Sequence, residues 1–215
     1  MHLKRQKTPK RWPIKRKGTA YVVRPLSNTR SGLPLLIIAR DILKIVQNRR
    51  EMKKVIHEKN ILVNNKLVKD DKYNTLLFDT ITVLPFKKYY RVDLSEKGKF
   101  ELKEIKETEA NYKIAKISDK KILGGKKVQL NLNDGRNFIS DLKCNVNDSV
   151  LISLRDKKIE KCIPLKEKEI AMVYSGKHAG TRGIINKIDN ERKIVELVVD
   201  EKKINVLIKQ LIAIK

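Results

Sequence analysis

The 215-residue chain is poor in the residues that build metal sites, disulfide frameworks and membrane spans. Its two cysteines, Cys144 and Cys162, belong to no Cys-x-x-Cys pair, and His2, His57 and His178 are scattered. A zinc site needs four such ligands at short spacings, so we expect two buried thiols, no metal and no other cofactor. A disulfide between the two thiols is the less favoured alternative, since a reducing compartment opposes it. No apolar run approaches the ~18 residues of a membrane-spanning helix, and the N-terminus lacks the apolar core of a secretory signal.

Glycine is also scarce, yet three of the nine glycines stand together in YSGKHAGTRGIINKI, residues 174–188. A phosphate-binding P-loop needs a further glycine five positions before a Gly-Lys pair. The positions five residues before the chain's three Gly-Lys pairs hold Asp93, Lys120 and Ala171. The dinucleotide-binding fingerprint is excluded as well, because Gly176, Gly180 and Gly183 are spaced by four and three residues instead of two and three.

Acidic residues are few relative to basic ones, with 25 Asp and Glu against 50 Lys and Arg. The resulting net charge of +25 favours a polyanionic partner, and nucleic acid is the first candidate. Residues 1–34 hold ten of the cations and no acid. We predict that this basic N-terminal arm becomes ordered only against a phosphate-bearing partner.

The arm contains one tryptophan, for which two alternatives stand side by side. Trp12 either packs on the protein's own body or stacks on an unpaired base, as aromatic residues among cations do in single-stranded nucleic-acid binding. The predicted RNA-binding residues of the arm are Lys4, Arg5, Lys7, Lys10, Arg11, Trp12, Lys15, Arg16, Lys17, Arg24 and Arg30.

Residues 35–90 have helical and then strand-like patterns. In LPLLIIARDILKIVQ the apolar residues recur every three or four positions, which predicts an amphipathic helix that begins after Pro34 and extends to about residue 47. A shorter helix around Met52 follows, then a hairpin in ILVNNKLV that turns at Asn64-Asn65, and a strand in DTITVLP that ends at Pro85. The basic residues on these elements are predicted RNA contacts: Arg40, Lys44, Arg49, Arg50, Lys53, Lys54, Lys66 and Lys69.

The remaining sequence alternates with the period of β-strands. Between residues 91 and 168 the runs KFELKEI, YKIAKI, KVQLNL and SVLISL predict a β-rich central domain, and LNDGRNF predicts an Asp-Gly turn. From residue 169, four short strands (IAMVY, RGIINKI, KIVELVV and KINVLI) predict a small β-barrel. Its glycine-rich loop is predicted to contact RNA through Lys177, His178 and Arg182, whereas Gly183 serves the loop's geometry.

Several of these motifs resemble known families. Residues 35–90 resemble the RNA-binding module named after bacterial ribosomal protein S-four, through Arg40-Asp41, Arg49-Arg50-Glu51, ILVNNKLV and DTITV, although Asn65 replaces the glycine usual in the hairpin. The glycine-rich loop with its following strand resembles a KOW motif. Together, the arm, the module, the β-rich centre and the KOW motif resemble the eukaryotic and archaeal small-subunit ribosomal protein S-four-e family over essentially the whole chain. Members are usually longer at the C-terminus. This chain stops at Lys215, soon after the predicted barrel, and in this respect it resembles the archaeal form.

The resemblance implies an α+β, multi-domain fold: an arm (1–34), an S-four-type ααβ module (35–90), a β-rich central domain (91–168) and a small SH3-like barrel with the KOW motif (169–215). It also implies a structural, non-enzymatic component of the small subunit in the cytoplasm. Its expected partners are ribosomal RNA and neighbouring ribosomal proteins, with no membrane and no small-molecule substrate.

Two alternatives belong to other functional classes. S-four-type modules are also attached to pseudouridine synthases, whose catalytic Asp follows Gly-Arg-Leu; Tyr90-Arg91-Val92-Asp93 is similar but lacks the glycine, so we interpret Asp93 as an ordinary strand residue. A translation or transcription factor that uses a KOW barrel is the other alternative. Such a factor is expected to leave ribosomes at modest salt concentration.

Overall fold

In the computed structural model, residues 2–124, 127–140, 142–199 and 202–214 are described. The chain divides into two compact units, residues 1–95 with 99–111 and residues 96–98 with 112–215. No helix in the described part of the chain is long and apolar enough to cross a membrane.

Unit 1 combines three antiparallel sheets with short helices. The helices are α1 (Leu35–Ile37), which continues as a π-helical turn (Ile38–Ile42), α2 (Arg49–His57) and α3 (Glu107–Ala110). Two small sheets pair β1 (Leu3–Lys4) with β2 (Tyr21–Val22) and β3 (Gly32–Pro34) with β6 (Asn74–Leu76). The main sheet has the order β5-β4-β7-β8-β9, with strands β4 (Ile61–Val63), β5 (Lys66–Leu67), β7 (Thr80–Val83), β8 (Lys88–Leu94) and β9 (Phe100–Ile105).

Unit 2 consists of two five-stranded antiparallel sheets. The central sheet has the order β12-β11-β10-β13-β14, with strands β10 (Tyr112–Ile122), β11 (Val128–Leu132), β12 (Asn137–Ile139), β13 (Ser149–Ser153) and β14 (Lys158–Ile163). The C-terminal sheet has the order β18-β17-β16-β15-β19, with strands β15 (Ile170–Val173), β16 (Arg182–Asp189), β17 (Ile194–Val199), β18 (Lys202–Leu207) and β19 (Leu211–Ala213).

The first predicted helix is shorter than its sequence pattern indicates. The five consecutive residues Leu35–Ala39 are all buried, so this segment is enclosed on every side and is not amphipathic. The amide of Leu43 donates to the carbonyl of Ile38, the spacing of a π-turn. Lys44 then takes a left-handed conformation with φ of 55°, which ends the helix before residue 47.

The second helix, the hairpin and the following strand are confirmed. The side chain of Asn48 caps α2 by accepting from the amide of Glu51 at 3.0 Å, which fixes where the helix begins. Asn64 and Asn65 have φ of 52° and 57°, so both turn residues are left-handed, as a two-residue type I′ hairpin requires. The Asn64 side chain also donates to the Asp79 carboxylate at 2.8 Å, which ties the turn to the start of β7.

The expectation that the N-terminal arm is unfolded without a partner is wrong in this structure. Trp12 is 2% exposed, and its Nε1 donates to the carbonyl of Gly32 at 3.0 Å. The carbonyl of Arg11 accepts from the amide of Phe100 at 2.9 Å, beside the main sheet of unit 1. The buried indole and these hydrogen bonds attach residues 11 and 12 of the arm to unit 1.

The predicted β-rich character of residues 91–168 and the four strands from residue 169 are confirmed. The Asp-Gly turn joins β11 to β12, with Gly135 at φ of 84°. The fifth strand, β19, was not predicted, because only three residues form it and a 3₁₀ turn (Ile208–Gln210) precedes it. Together with β15–β18 it forms a curved sheet around the buried side chains of Val173, Ile185, Leu197 and Leu211.

Unit 2 buries two lysine ammonium groups. The Lys113 Nζ lies 2.6 Å from the Asp134 carboxylate, and the two side chains are 2% and 5% exposed. Burial by itself raises the pKa of Asp134. The charge of Lys113 and the hydrogen bonds from Lys113 and from the Arg136 amide outweigh burial, so the pKa of Asp134 lies below its ordinary value. Lys116 donates instead to the backbone carbonyls of Ile208 and Leu211, so β10 is joined to the segment that enters β19.

The two cysteines are free thiols, as expected. Cys144 is buried in the core of the central sheet, and Cys162 packs against that core from β14. Burial and the neighbouring Cys144 thiol raise the pKa of Cys162 to about 12.

Candidate nucleic-acid interface

A cleft in unit 1 collects several of the predicted RNA-binding residues. It has a volume of about 450 Å³ and lies between α2 and the loop at residues 69–72. Arg49, Lys53 and Lys69 line it, all three predicted from the sequence. The loop is held in place because the amide of Leu36 donates to the carbonyl of Asp71 at 3.0 Å.

Two further basic residues of the cleft, His57 and Lys72, were missed in the sequence. His57 follows Arg49 and Lys53 at intervals of four residues, the spacing that places three side chains on one helix face. This spacing is the signal that could have identified it. Lys72 had no comparable signal, because its place in the cleft depends on the loop lying against α2.

Arg49 makes the best-defined contact in the cleft. Its Nε and Nη2 donate to the two carboxylate oxygens of Asp71 at 2.8 and 3.1 Å. The Asp71 side chain is 2% exposed and that of Arg49 is 47% exposed. The hydrogen bond to Asp71 raises the pKa of Arg49, although burial opposes this effect. A buried carboxylate therefore orients a guanidinium whose other side faces solvent, which is the arrangement that bidentate phosphate recognition uses.

The other predicted cations of unit 1 differ in how strongly the protein itself engages them. Arg40 pairs with its neighbour Asp41 at 2.8 Å, and Lys54 lies 3.9 Å from Glu58. The remaining side chains are exposed and form no ion pair with any described residue: Lys44, Arg50, Lys53, Lys66 and Lys69.

In the arm, most of the predicted cations point outward. Arg5 is the exception, because its guanidinium donates to the carbonyls of Lys15 and Thr19 and to the Thr19 hydroxyl, at 2.6 to 2.8 Å. It therefore closes the loop at residues 15–19. Arg11 is half-buried, and the exposed cations of the arm are Lys4, Lys7, Lys10, Lys15, Arg16, Lys17, Arg24 and Arg30.

For Trp12, the structure supports packing over stacking. The ring is 2% exposed and its only polar atom is engaged by Gly32. Stacking on a base requires an accessible ring face. Trp12 thus contributes to the folding of the arm, and the cations around it are the groups left to meet a partner.

The glycine-rich loop of the C-terminal sheet joins β15 to β16. Hydrogen bonds between Val173 and residues 180 and 181 close its base at 2.8 and 2.9 Å. Gly176 and Gly180 have φ of 96° and 97°, in the region that favours glycine. A Cβ on Gly183 would lie 2.5 Å from the carbonyl oxygen of Val198, so this glycine allows β16 to approach β17 closely.

The three predicted contacts of this loop have different degrees of exposure. Lys177 and Arg182 are exposed, whereas His178 is half-buried. The carbonyl of His178 accepts from the Thr181 hydroxyl at 2.7 Å, which fixes the backbone between the two cations. The loop therefore holds two cationic side chains on a backbone that glycines and local hydrogen bonds define.

Comparisons with known proteins agree with these features. Two family profiles match the chain, "Ribosomal family S4e" over residues 86–159 and "RS4NT (NUC023) domain" over residues 1–27. "Small ribosomal subunit protein eS4" of Methanocella arvoryzae is 38% identical over 190 residues, which cover 87% of this chain and 80% of that protein. The protein of the same description from Nanoarchaeum equitans is 35% identical over 191 residues, which cover 87% and 82%.

A solved structure shows the same architecture. The crystal structure of the 30S ribosomal protein S4e from Thermoplasma acidophilum matches with a TM-score of 0.74 and 27% sequence identity. The match covers 86% of this chain and 95% of that one. The β-rich, multi-sheet fold with few helices is therefore shared with that protein, and the predicted α+β, multi-domain class holds at this coarser level.

The fold, the basic surfaces and these likenesses define the class of the protein, a structural ribosomal protein that is not an enzyme. Asp93, the residue that the pseudouridine-synthase alternative needs, is a buried strand residue whose carboxylate lies 3.1 Å from the ammonium of Lys103. The chain belongs to the S4e family of small ribosomal subunit proteins, in its archaeal form. The resemblance found in the sequence is thus confirmed, and with it the location in the cytoplasmic ribosome.

Proposed function

We propose that this ribosomal protein binds small-subunit ribosomal RNA through three basic surfaces, namely the N-terminal arm, the α2 cleft and the β15–β16 loop. The observation that carries the proposal is the cleft, where a buried carboxylate orients Arg49 among exposed cations. Lys53 and Lys69 line the same cleft, are exposed and form no ion pair with a described residue, so they are available to a polyanion. Neighbouring ribosomal proteins are the second class of partner.

For residues 35–90 we propose an RNA-binding module of the S-four type. The order of α1, α2, the β4–β5 hairpin and β7 supports it, as does the left-handed Asn64-Asn65 turn. In such an arrangement the second helix presents its basic face to RNA. The face formed by Arg49, Lys53 and His57 has that position, and Arg50 lies beside it.

For residues 169–215 we propose a small SH3-like barrel with a KOW motif. Its support is the curved five-stranded sheet, the 3₁₀ turn before β19 and the glycine-rich loop between β15 and β16. We likewise propose that the arm spans residues 1–34 and the central domain residues 91–168. The central domain contributes a core of its own.

Binding is expected to depend mainly on phosphate contacts. Each phosphate that a cation neutralises releases counterions, so log K falls with log salt by about 0.7 to 0.9 per contact. Folded RNA is recognised largely by shape and backbone, so base readout is expected to be slight. Among the predicted residues, Trp12 is left out of the proposed contacts because its ring is enclosed.

The proposal is tested by binding to in vitro transcribed small-subunit rRNA over a series of KCl concentrations. A cleft variant replaces Lys53 and Lys69, which line the cleft, and the neighbouring Arg50 with Ala, which leaves the Arg49–Asp71 pair intact. A matched control variant replaces the three exposed lysines Lys157, Lys158 and Lys166, so that the net charge is the same.

We expect the cleft variant to bind more weakly and its salt slope to fall by about 2 to 3, since three phosphate contacts are lost. The control is expected to retain the wild-type slope. Equal losses in both variants would mean that the charge acts only through its total, and the cleft would then have no role as a site.

A further inference from the structure

The β10–β11 hairpin extends beyond β13 and β14 of the central sheet, and β12 accompanies it on the β11 side as far as the hydrogen bond from the Ser140 amide to the Val128 carbonyl. β10 is paired with β13 only as far as Lys116, and a last backbone pair joins Ile117 to residues 147 and 148. Its final residues, Asp119–Ile122, pair with β11 alone, and no strand of the described residues pairs with their other edge. A bulge between Ile117 and Asp119 separates the two parts. Bulges bend and twist a strand, and this one lies where β10 leaves β13 and continues with β11 as the projecting part.

The projecting part is basic. Lys121 and Lys127 are exposed, Lys120 is half-buried, and none of the three forms an ion pair with a described residue. The acid of this segment, Asp119, accepts from the amide of Lys120 at 2.8 Å and so serves the backbone. In DKKILGGKKV, residues 119–128, the sequence has four lysines and one acid. This charge is complementary to a polyanion.

The same segment exposes one large apolar side chain. Ile122 is 79% exposed. Ile122 pairs with Val128 across the hairpin, beyond the last core residue of that face, Leu130. An apolar residue surrounded by lysines is suited to the sugar and base surfaces of RNA, with the ammonium groups on the adjacent phosphates.

We propose that this hairpin tip, residues 119–124 with 127–128, is an additional ribosomal-RNA-binding element, in which Lys120, Lys121 and Lys127 contact phosphates and Ile122 packs against the RNA. It rests on the proposed rRNA-binding function and adds a second surface in unit 2, distinct from the glycine-rich loop. Because no strand of the described residues pairs with the free edge of the tip, RNA can lie beside this edge without displacing a strand. The bulge at Ser118 lies where the tip leaves β13.

The first test repeats the rRNA titration over KCl concentrations with the Lys120→Ala, Lys121→Ala, Lys127→Ala variant. The control with Lys157, Lys158 and Lys166 replaced has the same net charge. We expect the hairpin variant to lower the salt slope by about 2 to 3 relative to that control. Slopes equal to the control would overturn the proposal. Far-UV circular dichroism and thermal unfolding of both variants are expected to stay close to the wild type, because five of the six changed side chains are exposed and the half-buried Lys120 forms no ion pair with a described residue.

The second test identifies the partner directly. The photocrosslinking residue p-benzoylphenylalanine replaces Ile122 in assembled small subunits, and a control carries it at the exposed Glu160 on the opposite edge strand, β14. Crosslinks to rRNA from position 122 that are absent from position 160 support the proposal. Crosslinks to protein alone, or none, overturn it.

The outcomes also separate this proposal from the one on which it rests. If the cleft variant loses rRNA affinity and the hairpin variant equals the control, the hairpin proposal is wrong and the proposed function stands. If the cleft variant and the hairpin variant both bind rRNA with the affinity and salt slope of the control variant of equal net charge, both proposals are wrong.

Discussion

Lys116 provides the sharpest quantitative prediction from this structure. Its side chain is 3% exposed and donates to the carbonyls of Ile208 and Leu211, the second at 2.9 Å. Burial lowers the pKa of Lys116 from 10.5 to about 8. A group whose pKa is lower in the folded state than in the unfolded state loses its proton on folding between those two values.

The sign of the pH dependence follows directly. Between about pH 8 and 10.5 the unfolded chain binds more protons at this position than the folded chain, so stability rises with pH over this window. Because one pKa unit corresponds to about 1.4 kcal/mol, the contribution of Lys116 to stability is expected to increase by about 2 to 3 kcal/mol from pH 7 to pH 10.

The perturbation is Lys116→Met, which keeps the length of the side chain and removes the charge. The variant leaves two buried carbonyls without a donor, at about 1 to 3 kcal/mol each, so its stability relative to wild type is expected to worsen as the pH rises. The assay is reversible urea unfolding of both proteins at pH 7, 8, 9 and 10. The difference between the two free energies of unfolding cancels the titration of all other groups. A difference that stays constant across this range would refute the assignment of a lowered pKa to Lys116.

Three further predictions concern folding and reactivity. Trp12→Ala is expected to lower the free energy of unfolding by about 3 to 5 kcal/mol, and Tyr21→Ala, which changes a residue that is 57% exposed, by far less in the same thermal-unfolding experiment; similar losses would contradict the burial of Trp12. Gly183→Ala is expected to destabilise the protein because its Cβ would meet the Val198 carbonyl at 2.5 Å, whereas Gly124→Ala has no atom within 4 Å and serves as the control. The two thiols are expected to react with an aromatic disulfide reagent much more slowly in the native protein at pH 8 than in urea, because Cys144 is buried and the pKa of Cys162 is about 12; rapid native reaction of both would show that this core is open.

Much of the local structure could be predicted from the sequence, because the relevant signals are periodic or lie within a few residues. Alternating apolar residues identified the strands of unit 2, and the Asn64-Asn65 pair identified a hairpin turn whose two residues are left-handed. The cleft was partly predicted for the same reason, since Arg49 and Lys53 are neighbours on one helix. The excess of cations, together with the order of the motifs, was enough to indicate a ribosomal protein.

What the tertiary structure decided depends on contacts between residues far apart in the chain. The indole of Trp12 is buried because the carbonyl of Gly32 and the core lie against it, which no local pattern in a basic arm reveals. Lys116 reads as one more surface lysine in an alternating strand until residues 208–211 fold over it. The sequence by itself determined the charge and the order of elements, because both follow from side-chain chemistry and periodicity. Only the tertiary structure decided which cations remain available to a polyanion, because that depends on the packing around each of them.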